Sequence, residues 1–206
     1  MNPVYKAVRA ILRAFIRVFY RLKYVGRENY KETGPLILAS NHISAPDPFF
    51  IGAPYKRQVF YLAKAELFRN KLLGRIMRKV GCIPVNRGAH NKDAIEECIN
   101  TIKAGNCVGL FPQGTRYKGK EPDVSQTKSG IGMFAVNTGA DVQPVYIATK
   151  GNRARMFRRV TIIVGKVMTK EEYDHPELKG YERYKAVTAE IFNRILELGK
   201  TAGGAE

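Results

Sequence analysis

Acidic side chains are scarce in this chain. Eighteen aspartates and glutamates stand against 35 lysines and arginines, a formal charge of +17 at pH 7. The imbalance says nothing about the fold, but it points to anionic partners: nucleic acid, an acidic protein, a phosphate-bearing substrate or an anionic membrane face. Histidine and cysteine are rarer still, at three residues each. Cys82, Cys98 and Cys107 are odd in number and lack the spacing of metal ligands, which argues for core packing and fits a reducing cytoplasm. No charge-free apolar run reaches the roughly 18 residues of a transmembrane helix. Arginines interrupt the one apolar region near the N-terminus, so a signal peptide is not expected either. Internal repeats and low-complexity linkers are absent. What remains is 206 residues, 45% of them hydrophobic, enough for one domain with a well-filled core and too apolar for a disordered chain.

Residues 2–23 read as one helix with two faces. Lys6, Arg9, Arg13, Arg17 and Arg21 recur at spacings of three and four, and Val4, Val8, Ile11, Phe15, Val18 or Phe19, and Leu22 form the opposing stripe. The pattern suits a helix lying in a bilayer interface with its arginines at the headgroups; a surface helix packed on its own domain shares it. The expected organisation is a basic amphipathic membrane-associating helix over 1–24, one domain over 25–200 and a disordered tail over 201–206. After Tyr24 strand and helix signals alternate. Apolar runs at 35–40, 59–63, 82–85, 107–111, 142–148 and 160–164 read as strands, and 72–80, 92–104 and 181–198 as helices. This alternation predicts an α/β fold: a single-domain sandwich with a central mixed sheet flanked by helices, preceded by the N-terminal amphipathic helix.

Four stretches at expected strand ends carry chemistry. In "NHISAPDPFF", residues 41–50, His42 and Asp47 lie five apart. On a continuous helix such positions diverge by about 140°, so only a bend at Ala45 and Pro46 can bring them together. Either His42 is a general base oriented by Asp47, or Asp47 caps the helix that Pro48 starts and His42 is a turn residue; the two roles are compatible. In "LFPQGTRYKGK", residues 110–120, Gly114 lets backbone approach an anion, Thr115 offers a hydroxyl and Arg116 a forked phosphate ligand. Lys118, Lys120 and Lys128 add charge, although a basic hairpin loop has the same composition. In "VGCIPVNRG", residues 80–88, Arg87 closes another strand and would converge with Arg116 on one phosphate. "DVQPVYI", residues 141–147, is an apolar strand entered through Pro144. A further run, "KGNRARMFRR" at 150–159, is a landing surface for an acidic protein, a binder of lipid phosphates, or a solvated basic loop. Nucleic-acid binding would call for aromatics interleaved with the basic run, and Tyr117 and Phe157 are isolated.

Together and in this order, the four stretches resemble the glycerolipid acyltransferase family, the 1-acylglycerol-3-phosphate acyltransferases. Its NHxxxxD motif is matched by Asn41, His42 and Asp47, and its FPEGTR motif by Phe111, Pro112, Gly114, Thr115 and Arg116. An I-P-x-x-R type motif matches Ile83, Pro84 and Arg87, and a V-x-P-V type Val142, Pro144 and Val145. The resemblance implies acyl transfer from acyl-CoA or acyl carrier protein to lysophosphatidic acid, forming phosphatidic acid, with His42 and Asp47 as the catalytic pair. It implies Gly114, Thr115, Arg116 and Arg87 on the acceptor phosphate, Asn41, Gln113 and Lys128 in support, and neither metal nor cofactor beyond the co-substrate. The implied setting is peripheral, on an anionic membrane surface at the cytoplasmic face, without nucleic acid. One departure stands out: Gln113 replaces the family's usual glutamate. Glutamine donates and accepts hydrogen bonds but carries no charge, which leaves Arg116 freer for a phosphate and puts the acceptor head group in question.

Overall fold

The computed structural model describes residues 2–86 and 91–202. Its strands are β1 (Arg21–Val25), β2 (Leu36–Ser40), β3 (Val59–Lys64), β4 (Cys82–Val85), β5 (Cys107–Leu110), β6 (Asp141–Thr149) and β7 (Arg159–Val164). They form one sheet in the order β1-β7-β6-β2-β5-β3-β4. All neighbours are parallel except β6 and β7, which pair antiparallel from Val145↔Val164 to Thr149↔Val160. The helices are α1 (Pro3–Phe19), α2 (Asp47–Gly52), α3 (Lys71–Lys79), α4 (Lys92–Lys103), α5 (Gly130–Thr138), α6 (Lys170–Tyr173) and α7 (Gly180–Ala202). This is the expected single-domain α/β sandwich on a mixed sheet.

The central strand shows why the sequence folds this way. Leu36 and Leu38 of β2 pack with Ile16 of α1 and Phe50 and Ile51 of α2; Ile37 and Ala39 pack with Cys98, Phe134 and Ile191 on the other face. Successive strand residues leave on opposite faces, so a strand covered on both reads as an unbroken apolar run. Each fully buried Leu or Ile contributes about 1.5–3 kcal/mol. The parallel strands β2, β3, β5 and β6 end together at Ser40, Lys64, Leu110 and Thr149, and β1 and β7 begin at that same edge. The C-terminal end of α1 is thereby carried to the edge where the chemistry-bearing loops emerge.

Two expectations are corrected. The N-terminal helix does not reach Lys23: it stops at Phe19, Tyr20 turns extended (φ −132°, ψ 135°), and Arg21 to Val25 pair in parallel with Arg159 to Ile163. Arg21, Lys23 and Val25 are exposed while Leu22 and Tyr24 are half-buried, the period-two pattern of an edge strand. Helix α1 itself keeps its two faces: Ile16 is buried and Tyr5, Val8 and Leu12 half-buried, and Ile11, Phe15 and Val18 continue that apolar side outward as a ridge. On the other side of the buried stripe Arg9 and Arg13 donate to the carbonyl of Ala53 at the end of α2, so these two members of the basic stripe hold α1 to its own domain. Finally, Thr201 and Ala202 belong to α7, where the Thr201 hydroxyl donates to the Leu198 carbonyl at 2.8 Å; the rest of the expected tail lies outside the described residues. Helix α5 was not expected, because Gly130 and Gly132 are poor helix formers. The structure requires Gly132: a Cβ there would stand 2.0 Å from the Tyr184 carbonyl oxygen of α7.

Candidate active site

The connection from β2 to α2 carries the first group of side chains. Asn41, the residue after β2, is fully buried; its side chain accepts from the Ile147 N–H at 2.7 Å and donates to the Ile147 carbonyl at 3.1 Å. It thus ties the end of β2 to β6 and fixes where the next residue stands. The chain then bends through Ala45 and Pro46, and Asp47 returns beneath His42: Nδ1 of His42 and Oδ2 of Asp47 are 2.8 Å apart. The same Oδ2 accepts the backbone N–H groups of Ile43 and Ser44, each at 2.7 Å. Asp47 is therefore not the N-cap of α2, a position taken by Pro46. Its carboxylate organises the bend that precedes the helix. Asp47 is fully buried, and its other oxygen, Oδ1, has no hydrogen-bond partner.

A carboxylate only accepts, so the hydrogen of this pair sits on Nδ1 of His42. Nε2 is left as a proton acceptor, and the imidazole is 14% exposed, enough to be reached from the sheet edge. The ring lies flat on Phe111, with centroids 4.1 Å apart and planes 20° from parallel. Phe111 opens the loop after β5, and that loop grips His42 twice more: the Gln113 side chain accepts from the His42 N–H at 2.7 Å, and the Tyr117 N–H donates to the His42 carbonyl at 2.9 Å. Two sequence stretches 70 residues apart thus form one structure around a single imidazole.

The same loop presents the cations. Gly114 has φ +63°, which a side chain would strain, and a Cβ there would stand 3.2 Å from Cδ of Lys128. The Lys128 N–H donates to the Pro112 carbonyl at 2.9 Å, holding this lysine against the loop. Gly114, Arg116 and Lys128 are exposed and Thr115 is half-buried. Among the described residues the Arg116 guanidinium has no hydrogen-bond or ion-pair partner, so its fork is available to an anion. Arg87 and His90 lie outside the described residues.

Gln113 turns inward. It is fully buried. While its oxygen takes the His42 N–H, its amide nitrogen donates to Oε1 of Gln126 at 2.6 Å, and the Gln126 nitrogen donates to the Glu121 carbonyl at 2.8 Å. A glutamate cannot make the second of these bonds, so Gln113 and Gln126 belong together. Gln113→Glu should destabilise the fold by about 1–2 kcal/mol and leave the acceptor KM unchanged; thermal unfolding and steady-state kinetics read the two effects separately. A shifted KM would place residue 113 in the acceptor site. Gln126 carried no signal in the sequence, and neither did Tyr20, whose phenol is pushed above its usual range by burial and then by the nearby charge of Asp47.

The family model described as Acyltransferase matches residues 21–148. A 1-acyl-sn-glycerol-3-phosphate acyltransferase of Bacillus subtilis (strain 168) is 28% identical over 200 residues, covering 95% of this chain and 96% of that protein. One from Borreliella burgdorferi is 31% identical over 129 residues, 62% of this chain and about half of the relative. The crystal structure of the 1-acyl-sn-glycerophosphate (LPA) acyltransferase PlsC from Thermotoga maritima superposes with a TM-score of 0.72 at 23% identity, over 96% of this chain and 79% of that one, and so shares the fold.

Proposed function

We infer that this chain, which belongs to the Acyltransferase family, moves a fatty acyl group from an acyl thioester to the free hydroxyl of a 1-acylglycerol 3-phosphate. The observation that carries this reading is the buried Asp47 holding His42 by Nδ1, gripped by the neighbouring loop whose Arg116 is uncommitted. In the reaction, Nε2 of His42 takes the hydroxyl proton as the oxygen attacks the thioester carbonyl. The C–O bond forms, the C–S bond breaks, and the proton passes from the imidazolium to the departing thiolate. Asp47 steadies the imidazolium in between. The acceptor phosphate lies against Arg116, Lys128 and the Gly114–Thr115 backbone, with Arg87 proposed as a second cation.

Attack by the acceptor itself, without an acyl-enzyme, is supported by the thiols. Burial pushes Cys82 up to about 11 and Cys98 and Cys107 up to about 12, so none is a ready nucleophile near neutral pH. The three unpaired thiols also suit the reducing, cytoplasmic side of a membrane. The donor, whether acyl-CoA or acyl carrier protein, is anionic and suits a chain of charge +17. No described helix is long and apolar enough to cross a bilayer, and the outward ridge Ile11, Phe15 and Val18 of α1 supports a helix lying on an anionic surface.

The experiment is a transfer assay with purified protein, an acyl thioester and a panel of lyso-lipids. Arg116→Ala should raise KM for lysophosphatidate about 10- to 100-fold, the loss of one charge-assisted phosphate contact, with kcat little changed. An acceptor lacking the phosphate should not notice the substitution. Equal KM values for variant and parent would remove Arg116 from the acceptor site.

A further inference from the structure

We propose that the loop between β6 and β7 is a second membrane-contacting element, with Met156 and Phe157 inserting into an anionic bilayer and the neighbouring cations resting on its phosphates. The proposal rests on the reading of the protein as a membrane-surface acyltransferase and extends it to a particular wedge.

Met156 is 51% and Phe157 60% exposed, side by side at the loop tip. Phe157 has φ +60°; among the described residues only it and Asn152, in the same loop, combine a side chain with positive φ. A bulky ring rarely adopts that backbone region, and such conformations persist where the surroundings impose them. Here the Phe157 N–H donates to the Phe19 carbonyl at 2.7 Å. Phe15, Phe19 and Phe157 then stand in line, with ring centroids 4.5 Å and 5.8 Å apart. The loop tip is thus continuous with the outward ridge of α1.

The charges around it have one sign. Lys150, Arg153, Arg155, Arg158 and Arg159 are exposed, and the sequence holds no acidic residue from 142 to 170. None of the five is in an ion pair among the described residues. Cations alone would serve an acidic protein or a nucleic acid equally well. Two adjacent apolar side chains facing outward, joined to an apolar helix ridge and ringed by arginine, add a contribution that a bilayer's hydrocarbon rewards and a purely electrostatic partner does not. The position suits the chemistry: the Gly119 N–H donates to the Asn152 carbonyl at 2.9 Å, within the same loop that grips His42 through Tyr117. Insertion here would seat the catalytic edge on the membrane that holds the acceptor lipid.

The chain contains no tryptophan, so Phe157→Trp installs its single indole at the tip and Val18→Trp does the same on α1. With phosphatidylglycerol vesicles, the F157W emission should shift to the blue and be quenched by lipids brominated on their acyl chains. If V18W is quenched and F157W is not, the loop proposal falls and the membrane reading stands; if neither is quenched, both fall. A shift of F157W emission caused by an acidic carrier protein without vesicles would assign the loop to a protein partner and overturn the proposal. A double variant, Met156→Ser with Phe157→Asn, should weaken sedimentation with these vesicles about tenfold or more. Its Tm should be unchanged or raised, because asparagine tolerates positive φ. Undiminished sedimentation would also overturn the proposal.

Discussion

Replacing His42 with alanine should lower kcat for acyl transfer by about 10²- to 10⁴-fold, the usual worth of general-base assistance. Tm should fall by no more than about 2–4 °C. The rate effect is large because no other described group stands ready at the mouth of this loop. His175 lies between α6 and α7, where it faces Glu177 at 3.3 Å. The stability effect is small because the bonds that join the two loops are not made by the ring. The His42 N–H still reaches Gln113, and its carbonyl still receives the Tyr117 N–H. What disappears is one hydrogen bond to Asp47 and the stacking on Phe111. Purified variant and parent would be compared in single-turnover assays and by thermal melts. A variant that keeps the parental rate would end the general-base mechanism.

Asp47 should affect rate and stability together, and two substitutions separate its roles. In Asp47→Asn the amide is oriented by its neighbours: the N–H groups of Ile43 and Ser44 both point at the Oδ2 position and can donate only to an oxygen there. The carbonyl oxygen therefore keeps all three hydrogen bonds, and the NH₂ group falls where the partnerless Oδ1 was. Geometry survives and charge does not. The imidazolium loses the anion that steadies it, so kcat should drop on the order of 10²-fold or more, with about 1–3 kcal/mol lost to a buried, unpaired donor. Asp47→Ala removes the acceptor altogether and orphans the N–H groups of Ile43 and Ser44 together with Nδ1–H of His42. At about 1–3 kcal/mol for each group left unsatisfied, this variant should melt on the order of 10 °C lower as well as being inactive. An Asn variant with parental kcat would show that Asp47 serves folding alone.

The edge strand β1 and helix α5 mark where the sequence was hard to read. Arg21 to Val25 alternate with period two, yet their arginine and leucine also fall in phase with the helix before them, and five residues cannot separate the two periods. Gly130 and Gly132 look like loop residues until α7 is seen lying against Gly132. By contrast, runs such as Leu36 to Ser40 and Cys107 to Leu110 could hardly be anything but strands covered on both faces.

The site divides along the same line. Spacing left His42 and Asp47 as a bent pair or as a cap and a turn residue, and Gly114 to Arg116 as an anion loop or a basic hairpin; the order of four such stretches, through the family resemblance, chose between them. Local order along the chain settled the fold class, the strands and the residue types available for chemistry. Folding in three dimensions decided which of them meet. That Gln113 faces inward to Gln126 and the His42 backbone, that Asn41 pins β2 to Ile147, and that Arg9 and Arg13 hold α1 to Ala53 all depend on partners 13 to 106 residues away. Hydrogen bonds of that reach have direction but no sequence period, so only packing the sheet and its loops reveals them.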